Sequence, residues 1–467
     1  MRILFILPDV DSFHKLNIHF GIAYIARVLK DNGYKDMRFI SVSSEKEYDD
    51  VVAVAGAYKP DIVAFTSVET QFDTVIRLSQ RIKKALGCIV VCGGAFTTLF
   101  PESIKDIRSL DGIFRGESEK AFLKFVRAVE QGDDYRRTEN FCFYDGSNNR
   151  VIYNDLLPLE TDLDSIGFPE LDIFDFQGVI DDYAGVAPFL FNRGCPYNCS
   201  FCSNHALAAV YGKKANLTRK RSVDSCIAEI KNADKRYKFW AVHIWDDLFT
   251  ADRKWLYEFL DKYRSGVGKP FMCTVRSNIC DDELFDKLKQ AGCYRVHMSL
   301  ESGNDFIRNT VMNRNISKEM VVTSFGLAKK YGIEVSASVI IGLPFETEEM
   351  IKDTIRLLGK IKAESVGVNI FYPYKSTHLW EVCDKYGMIR RDLRGNIKER
   401  RESILDLPHL NPEKLRYYYD NFEDMVRREE GIFSYGKLKM KRMAKKVLPY
   451  QAKVFIRRRL NIRQGGK

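Results

Sequence analysis

Long apolar runs are missing from this 467-residue chain: no segment approaches the ~20 consecutive apolar residues of a membrane span. The first apolar stretch, residues 3–7, ends at Pro8 and is too short for the core of a signal peptide. It reads as a buried strand, and the expected location is cytoplasmic. Cysteine pairs are mostly missing too. Cys142, Cys226, Cys273, Cys280, Cys293 and Cys383 are scattered, while Cys88 and Cys92 sit in an apolar run where free cysteine acts as a small hydrophobe. No disulfide framework is expected in a reducing compartment. Internal repeats and low-complexity tracts are absent. Acidic residues vanish at the end: residues 431–467 hold twelve Lys or Arg and no Asp or Glu. The formal charge of +10 therefore belongs to the tail, and residues 1–430 carry about −2. What remains is 45% hydrophobic and 29% charged, the balance of a globular protein of two to four domains.

Residues 1–131 alternate strand and helix. Strands are expected at 2–7, 37–42, 61–66, 88–92 and 112–114, and helices at 21–32, 45–57, 71–86, 102–108 and 118–130. Five short apolar strands between amphipathic helices imply a doubly wound, Rossmann-like parallel sheet, with ligands beyond the strands' carboxyl ends. Residues 132–187 read as a hairpin around Asp145-Gly146-Ser147-Asn148-Asn149 and an ordered linker. Six more strands, at 188–192, 240–245, 270–275, 294–299, 334–341 and 366–371, alternate with helices at 222–234, 252–263, 282–291, 317–331 and 347–360. They imply a partial (β/α)6 barrel over residues 188–395, with chemistry at the C-terminal strand ends. Residues 396–467 read as a helical region with a basic tail. The fold class expected is α/β.

One group of cysteines is tightly spaced. Cys195, Cys199 and Cys202 lie within eight residues, directly after the first barrel strand. A four-iron cluster needs four ligands, so three thiolates leave one iron open. The alternative is a structural zinc site completed by His205, although zinc sites normally combine two distant ligand pairs. The segment His243-Ile244-Trp245-Asp246-Asp247 ends the second barrel strand. Its aspartates suit a site, and Asp247 or Thr250 equally suits a helix N-cap.

The Cys-x3-Cys-x2-Cys spacing, with the aromatic Phe201 before the last cysteine, resembles the radical S-adenosylmethionine (SAM) superfamily. The resemblance covers roughly residues 186–375. It implies a [4Fe-4S] cluster on Cys195, Cys199 and Cys202, and SAM on the open iron, cleaved reductively to abstract a substrate hydrogen. It places the Phe201 backbone at the adenine and Asp246 or Asp247 at the SAM amino group. Ser299, Glu301, Ser302 and Gly303 resemble the ribose-contacting segment. Ser338, Ile340 and Gly342 resemble the segment that packs the adenine, with Ser338 in place of a glycine.

A doubly wound domain ahead of such a barrel resembles the cobalamin-binding subclass. Thr66 and Ser67, Gly93 and Gly94, and Gly116 and Glu117 follow successive strands and are the expected cobalamin contacts. Glycines there let a flat macrocycle approach the backbone; ordinary turn chemistry is the competing account. The Asp-x-His-x-x-Gly motif of many cobalamin domains is not present. With Gly21 as anchor its positions are Leu16 and Ile18, and His14 and His19 are out of register. Cobalamin is therefore expected without a histidine on cobalt. Methylthiotransferases share the architecture, but Cys88, Cys92 and Cys142 do not resemble their second cysteine set.

The function implied is cobalamin-dependent methylation of an unactivated carbon. The alternatives are a cobalamin-dependent radical cyclase or rearrangement enzyme, and a non-catalytic cobalamin- or metal-binding protein. The substrate expected is a small or lipid-linked molecule, and the electron donor an external flavodoxin- or ferredoxin-like protein. In the tail, Met440, Met443, Ala444, Val447 and Leu448 recur at helical spacing beside Lys437, Lys439, Lys441, Arg442, Lys445 and Lys446. This pattern fits peripheral contact with an anionic inner-membrane surface. The competing reading packs the stripe on the enzyme itself. No recognised nucleic-acid module is present, and no nucleic-acid partner is expected.

Overall fold

The computed structural model describes residues 1–10, 17–212, 215, 217–393 and 398–447, with side chains as far as Met440. The first sheet contains β1 (Ile3–Pro8), β2 (Met37–Val42), β3 (Ile62–Thr66), β4 (Ile89–Gly93), β5 (Gly112–Phe114), β6 (Phe141–Asp145) and β7 (Arg150–Tyr153). Their order is β2-β1-β3-β4-β5-β6-β7. The first five pair in parallel, and the last two are antiparallel. Strand alternation sorts the core into two faces. Ile3, Phe5, Ile62 and Ala64 join one apolar cluster, while Leu4, Ile6, Val63 and Phe65 join the other. Helices Phe20–Asp31 and Glu119–Gln131 cover the first face, and Tyr48–Tyr58 and Phe72–Leu86 the second.

Two details differ from expectation. The hairpin at 141–153 is not a free-standing connector but the edge of this sheet, since β6 pairs with β5. The helix expected at 102–108 is replaced by a short helix, Ala95–Leu99, and a 3-10 turn, Pro101–Asp106. Pro101 cannot donate into the helix before it, which stops there.

The second sheet contains β8 (Val186–Phe189), β9 (Ala241–Ile244), β10 (Phe271–Val275), β11 (Cys293–Glu301), β12 (Glu334–Ile341) and β13 (Ser365–Ile370). All pair in parallel in sequential order, forming a half-barrel. Each crossover helix begins on a side chain that accepts from its first turn: Ser222, Asp252, Asp281, Ser317 and Thr347. Asp252 therefore caps the helix after β9, and neither Asp247 nor Thr250 does. The core on the Ile3 and Phe5 face runs on into the barrel through Phe189, Val242 and Val296. Helix Pro412–Glu430 buries Leu415, Tyr418, Phe422 and Val426 beside helix Glu348–Ile361, and helix Ile432–Val447 follows it.

Candidate active site

The cysteine loop leaves β8 through Gly194, whose φ is +78°; an added Cβ there would stand 2.5 Å from the Leu217 carbonyl. Arg193 and Arg219 exchange backbone hydrogen bonds of 2.9 and 3.0 Å, which fixes the loop's start. Cys202 begins helix Ser203–Val210 and donates from its backbone to Cys199 O at 3.0 Å. Ser200 Oγ donates to Val311 O at 2.6 Å, and Leu379 N–H donates to Ser200 O at 2.9 Å, so the loop is held from three sides. Cys199 is buried, and Cys195 and Cys202 are half-buried. Burial raises the Cys195 thiol and pushes Cys202 up to about 12. A thiolate there needs a cation or metal to be favoured.

Among the described residues no three His, Cys, Asp or Glu side chains gather around one ion-sized point. His205 Nε2 accepts from the His378 N–H at 3.4 Å, and its ring also lies against the Cys199 and Cys202 backbones. Among the described residues, no ligand set converges as tetrahedral zinc would require. A cube gives each thiolate its own iron, so three soft sulfur donors on one turn fit it without converging.

The two aspartates after β9 separate into different roles. Asp246 is 2% exposed and fully engaged. Its Oδ1 accepts from Phe191 N–H (2.8 Å) and Asn192 N–H (3.1 Å), and its Oδ2 from Asn192 Nδ2 (2.8 Å). Burial lifts its pKa to about 7. It ties the end of β8 to the end of β9 through Phe191 and Asn192. Asp247 instead faces the cavity beside Gly194. Its side chain is exposed into the cavity; partial desolvation by the walls raises its pKa, and the Asn204 side chain and Gly194 backbone oppose that shift.

On β11 and β12 the expected residues also divide. Ser299 and Ser338 are register partners; Ser338 Oγ donates to Ser299 Oγ at 3.1 Å and lies 3.2 Å from His297 Nε2. Ile340 and Phe201 are half-buried against the core. Glu301, at φ +63°, pairs with Arg314 at 3.0 Å, and burial raises its carboxyl. Ser302 and Gly303 pack instead under helix Glu348–Ile361. Gly303 N–H donates to Thr354 Oγ1 at 2.8 Å, and a Cβ on Gly303 would meet the Thr354 Cα at 2.5 Å. Gly342 is buried with φ +78°; its N–H donates to Glu346 at 2.6 Å, and its Cα side faces Leu415. These three build the rim rather than line it. Glu346 is 1% exposed, with Oε1 unpartnered and its pKa lifted by burial to about 8.

Between the sheets lies a cavity of about 380 Å³. Its walls on the first sheet's side include Thr66, Gly93, Gly94, Gly116 and Glu117; Leu190, Asn192, Arg193, Gly194 and Asp247 close the other side. Gly94 has φ +106°, and an added Cβ would stand 2.6 Å from Ser67 O. Ser67 is buried in that turn and does not reach the cavity. Glu117 lines the cavity but is held by arginines: Arg193 at 3.1 Å, and Arg219, whose Nη1 donates at 2.9 Å. Burial alone would raise its carboxyl, yet the two arginines hold it below the usual range. Arg193 also pairs with Glu119 at 2.6 Å.

His19 lines the same cavity. Its Nδ1 accepts from Ile22 N–H at 3.2 Å, capping helix Phe20–Asp31. That leaves the proton on Nε2, which faces Thr66 Oγ1 at 3.5 Å. Burial lowers its pKa to about 4. In this tautomer His19 offers the cavity no nitrogen lone pair. His14 and Leu16 lie outside the described residues. Sequence reasoning missed Arg276, whose Nη1 donates to Cys199 Sγ at 3.5 Å, and Arg314. Neither has a local motif to mark it.

Residues 189–358 match the Radical SAM superfamily, and residues 9–126 match the B12 binding domain. The chain is similar to an uncharacterized methyltransferase of Pyrococcus horikoshii, at 26% identity over 82% of this chain and 83% of that one. It is also similar to the anaerobic magnesium-protoporphyrin IX monomethyl ester cyclase of Rubrivivax gelatinosus, at 28% identity over 82% and 70%. Among solved structures it shares the fold of TsrM, a radical SAM methyltransferase from Kitasatospora setae with cobalamin and a [4Fe-4S] cluster bound. The TM-score is 0.68 at 16% identity, covering 83% of this chain and 76% of that one. The protein is thus a member of the radical SAM superfamily. Within it, the chain belongs with those enzymes that carry a B12-binding domain, and its cofactors are a [4Fe-4S] cluster, SAM and cobalamin.

Proposed function

We propose that this enzyme methylates an unactivated carbon of a small molecule in a cobalamin-dependent radical SAM reaction. The observation that carries the reading is the shared cavity. Thr66, Gly93, Gly94 and Gly116 from the B12-binding side face Asp247 and Gly194, the residue before Cys195, from the barrel. When bound, the reduced cluster supplies the electron that breaks SAM, and cobalamin carries the methyl group. Cys195, Cys199 and Cys202 hold the cluster. Asp247 accepts the SAM ammonium, a cation that would return its raised pKa toward the carboxylate range. Ser299 and Glu301 offer oxygens to the ribose hydroxyls, and the backbone near Phe201, with Ser338 and Ile340, meets the adenine. Thr66, Gly93, Gly94 and Gly116 leave room for the corrin. Electrons come from an external low-potential donor of the flavodoxin or ferredoxin class.

Anaerobic reconstitution tests this assignment. Wild-type protein should take up about four irons, absorb near ~400 nm, and release 5′-deoxyadenosine from SAM when reduced. The triple variant C195A/C199A/C202A should do none of these. An absorbance retained by the triple variant, or zinc in the native protein, would reject the assignment. With methyl-labelled SAM, a methylase moves the label onto its substrate, whereas a cyclase leaves it behind.

We further propose that helix Ile432–Val447 contacts an anionic membrane surface, which suits a lipid-linked substrate. Phe433 is 96% exposed, Ile432 89% and Met440 63%, while Leu438 faces inward. Met440 is the one stripe residue whose side chain is described, and it is exposed, as are Ile432 and Phe433 at the start of the helix. Among the described residues no helix is long and apolar enough to cross a membrane. Leu448 and residues 449–460 lie outside the described residues.

A further inference from the structure

Arg276 follows β10 on the C-terminal rim of the half-barrel and is 7% exposed. One terminal nitrogen points at Cys199 Sγ at 3.5 Å, and the other donates to Arg314 O. The guanidinium carbon sits over the Tyr197 ring, 3.9 Å from its centroid. Its Nε is buried without a partner. Glu301, the buried carboxylate of this rim, pairs with Arg314 at 3.0 Å. Among the described residues no carboxylate forms an ion pair with Arg276. Glu301 also lies within reach of the Arg276 charge, so two buried guanidiniums share one carboxylate, and this excess of buried positive charge calls for negative charge where the cysteine sulfurs stand.

We propose that Arg276 is the fixed counter-charge of the iron–sulfur centre and sets how readily that centre accepts its electron. The inference rests on the assignment of Cys195, Cys199 and Cys202 as cluster ligands. A four-iron cube with three thiolates carries one net negative charge when oxidised. It carries two after accepting one electron from an external low-potential donor. A neighbouring cation stabilises the second state more than the first and so eases reduction. Hydrogen bonds to the sulfurs act in the same direction. Arginine fits the position because it stays charged and sits over Tyr197 while one terminal nitrogen reaches the sulfur. Arg276 is a positioning and charge-setting residue, not one that touches the reacting carbon.

The test compares wild type, Arg276→Gln and Arg276→Lys after anaerobic reconstitution with iron and sulfide. Iron content and visible absorbance are read first, then a dithionite titration followed by electron paramagnetic resonance. Arg276→Gln should hold the cluster but be harder to reduce. At the wild-type midpoint its reduced-to-oxidised ratio should fall about tenfold, a shift of about 59 mV for one electron. Arg276→Lys should stay within about threefold of wild type on the same scale. A loaded Arg276→Gln with an unchanged midpoint overturns the proposal, as does an Arg276→Lys shifted as far as Arg276→Gln. If Arg276→Gln takes up no iron, Arg276→Lys decides. Loading with a near-wild-type midpoint upholds the charge requirement, and failure to load shows that shape matters instead and overturns it. Wild-type protein without iron would instead sink the cysteine assignment, whatever the arginine does.

Discussion

Half-buried His19 and buried Glu346 are groups whose protonation pulls stability in opposite directions with pH. His19 has a folded pKa of about 4 against 6.5 when free, so the folded state favours the neutral ring. Its contribution is intact above pH 6.5 and is lost as the pH falls toward 4. The full loss is about 3 kcal/mol by linkage. His19→Asn keeps a capping acceptor without a titrating ring. Urea unfolding at pH 7 and pH 5 should show a smaller drop for the variant than for wild type. Glu346 is raised to about 8, so its contribution is full below its free value of 4.5 and declines as the pH rises through 8. Glu346→Gln should therefore lose less stability than wild type between pH 6 and pH 9, measured the same way. At this scale the cysteines were legible because three thiols on one turn are a local signal. Arg276 lies 77 residues from Cys199, and only the fold brings them together. Ser302 and Gly303 turn under helix Glu348–Ile361 just past a strand register shift between Ser299 and Glu301. Such a shift breaks the alternation that says which side chain faces the site.

Strands and helices followed from periodicity, and the capping residues Ser222, Asp252, Asp281, Ser317 and Thr347 mark the barrel helices in order. The edge position of the hairpin could not be read, since strand pairing is a long-range property. The ion pairs between elements were equally hidden. Arg193, one residue before Gly194, reaches Glu117 and Glu119 beside and within helix Glu119–Gln131. Arg193→Met should cost about 3 kcal/mol, because it strands the buried Glu119 carboxylate. Denaturant unfolding checks the value. Adding Glu119→Gln should recover part of the loss, as expected for residues in one network. Full additivity of the two changes would show that the pair is not coupled.

At the scale of the whole molecule, net positive charge concentrates in residues 431–467, where Phe433 and Met440 are exposed among the described side chains. Each Lys or Arg near an anionic surface adds about 1 kcal/mol of attraction, screened within about 10 Å at 0.1 M salt. Phe433→Ser combined with Met440→Ser should reduce co-sedimentation with phosphatidylserine vesicles several-fold, and high salt should weaken what remains. Equal pelleting of variant and wild type would reject contact through these side chains. The pairing of Arg193 with Glu119 also has a meaning in time. The acid precedes its arginine by 74 residues along the chain. Synthesis at about 5–20 residues per second brings Glu119 out of the ribosome several seconds ahead of Arg193. The nascent first sheet can thus stand ready as a mould, and the cysteine turn is cast against it as it emerges.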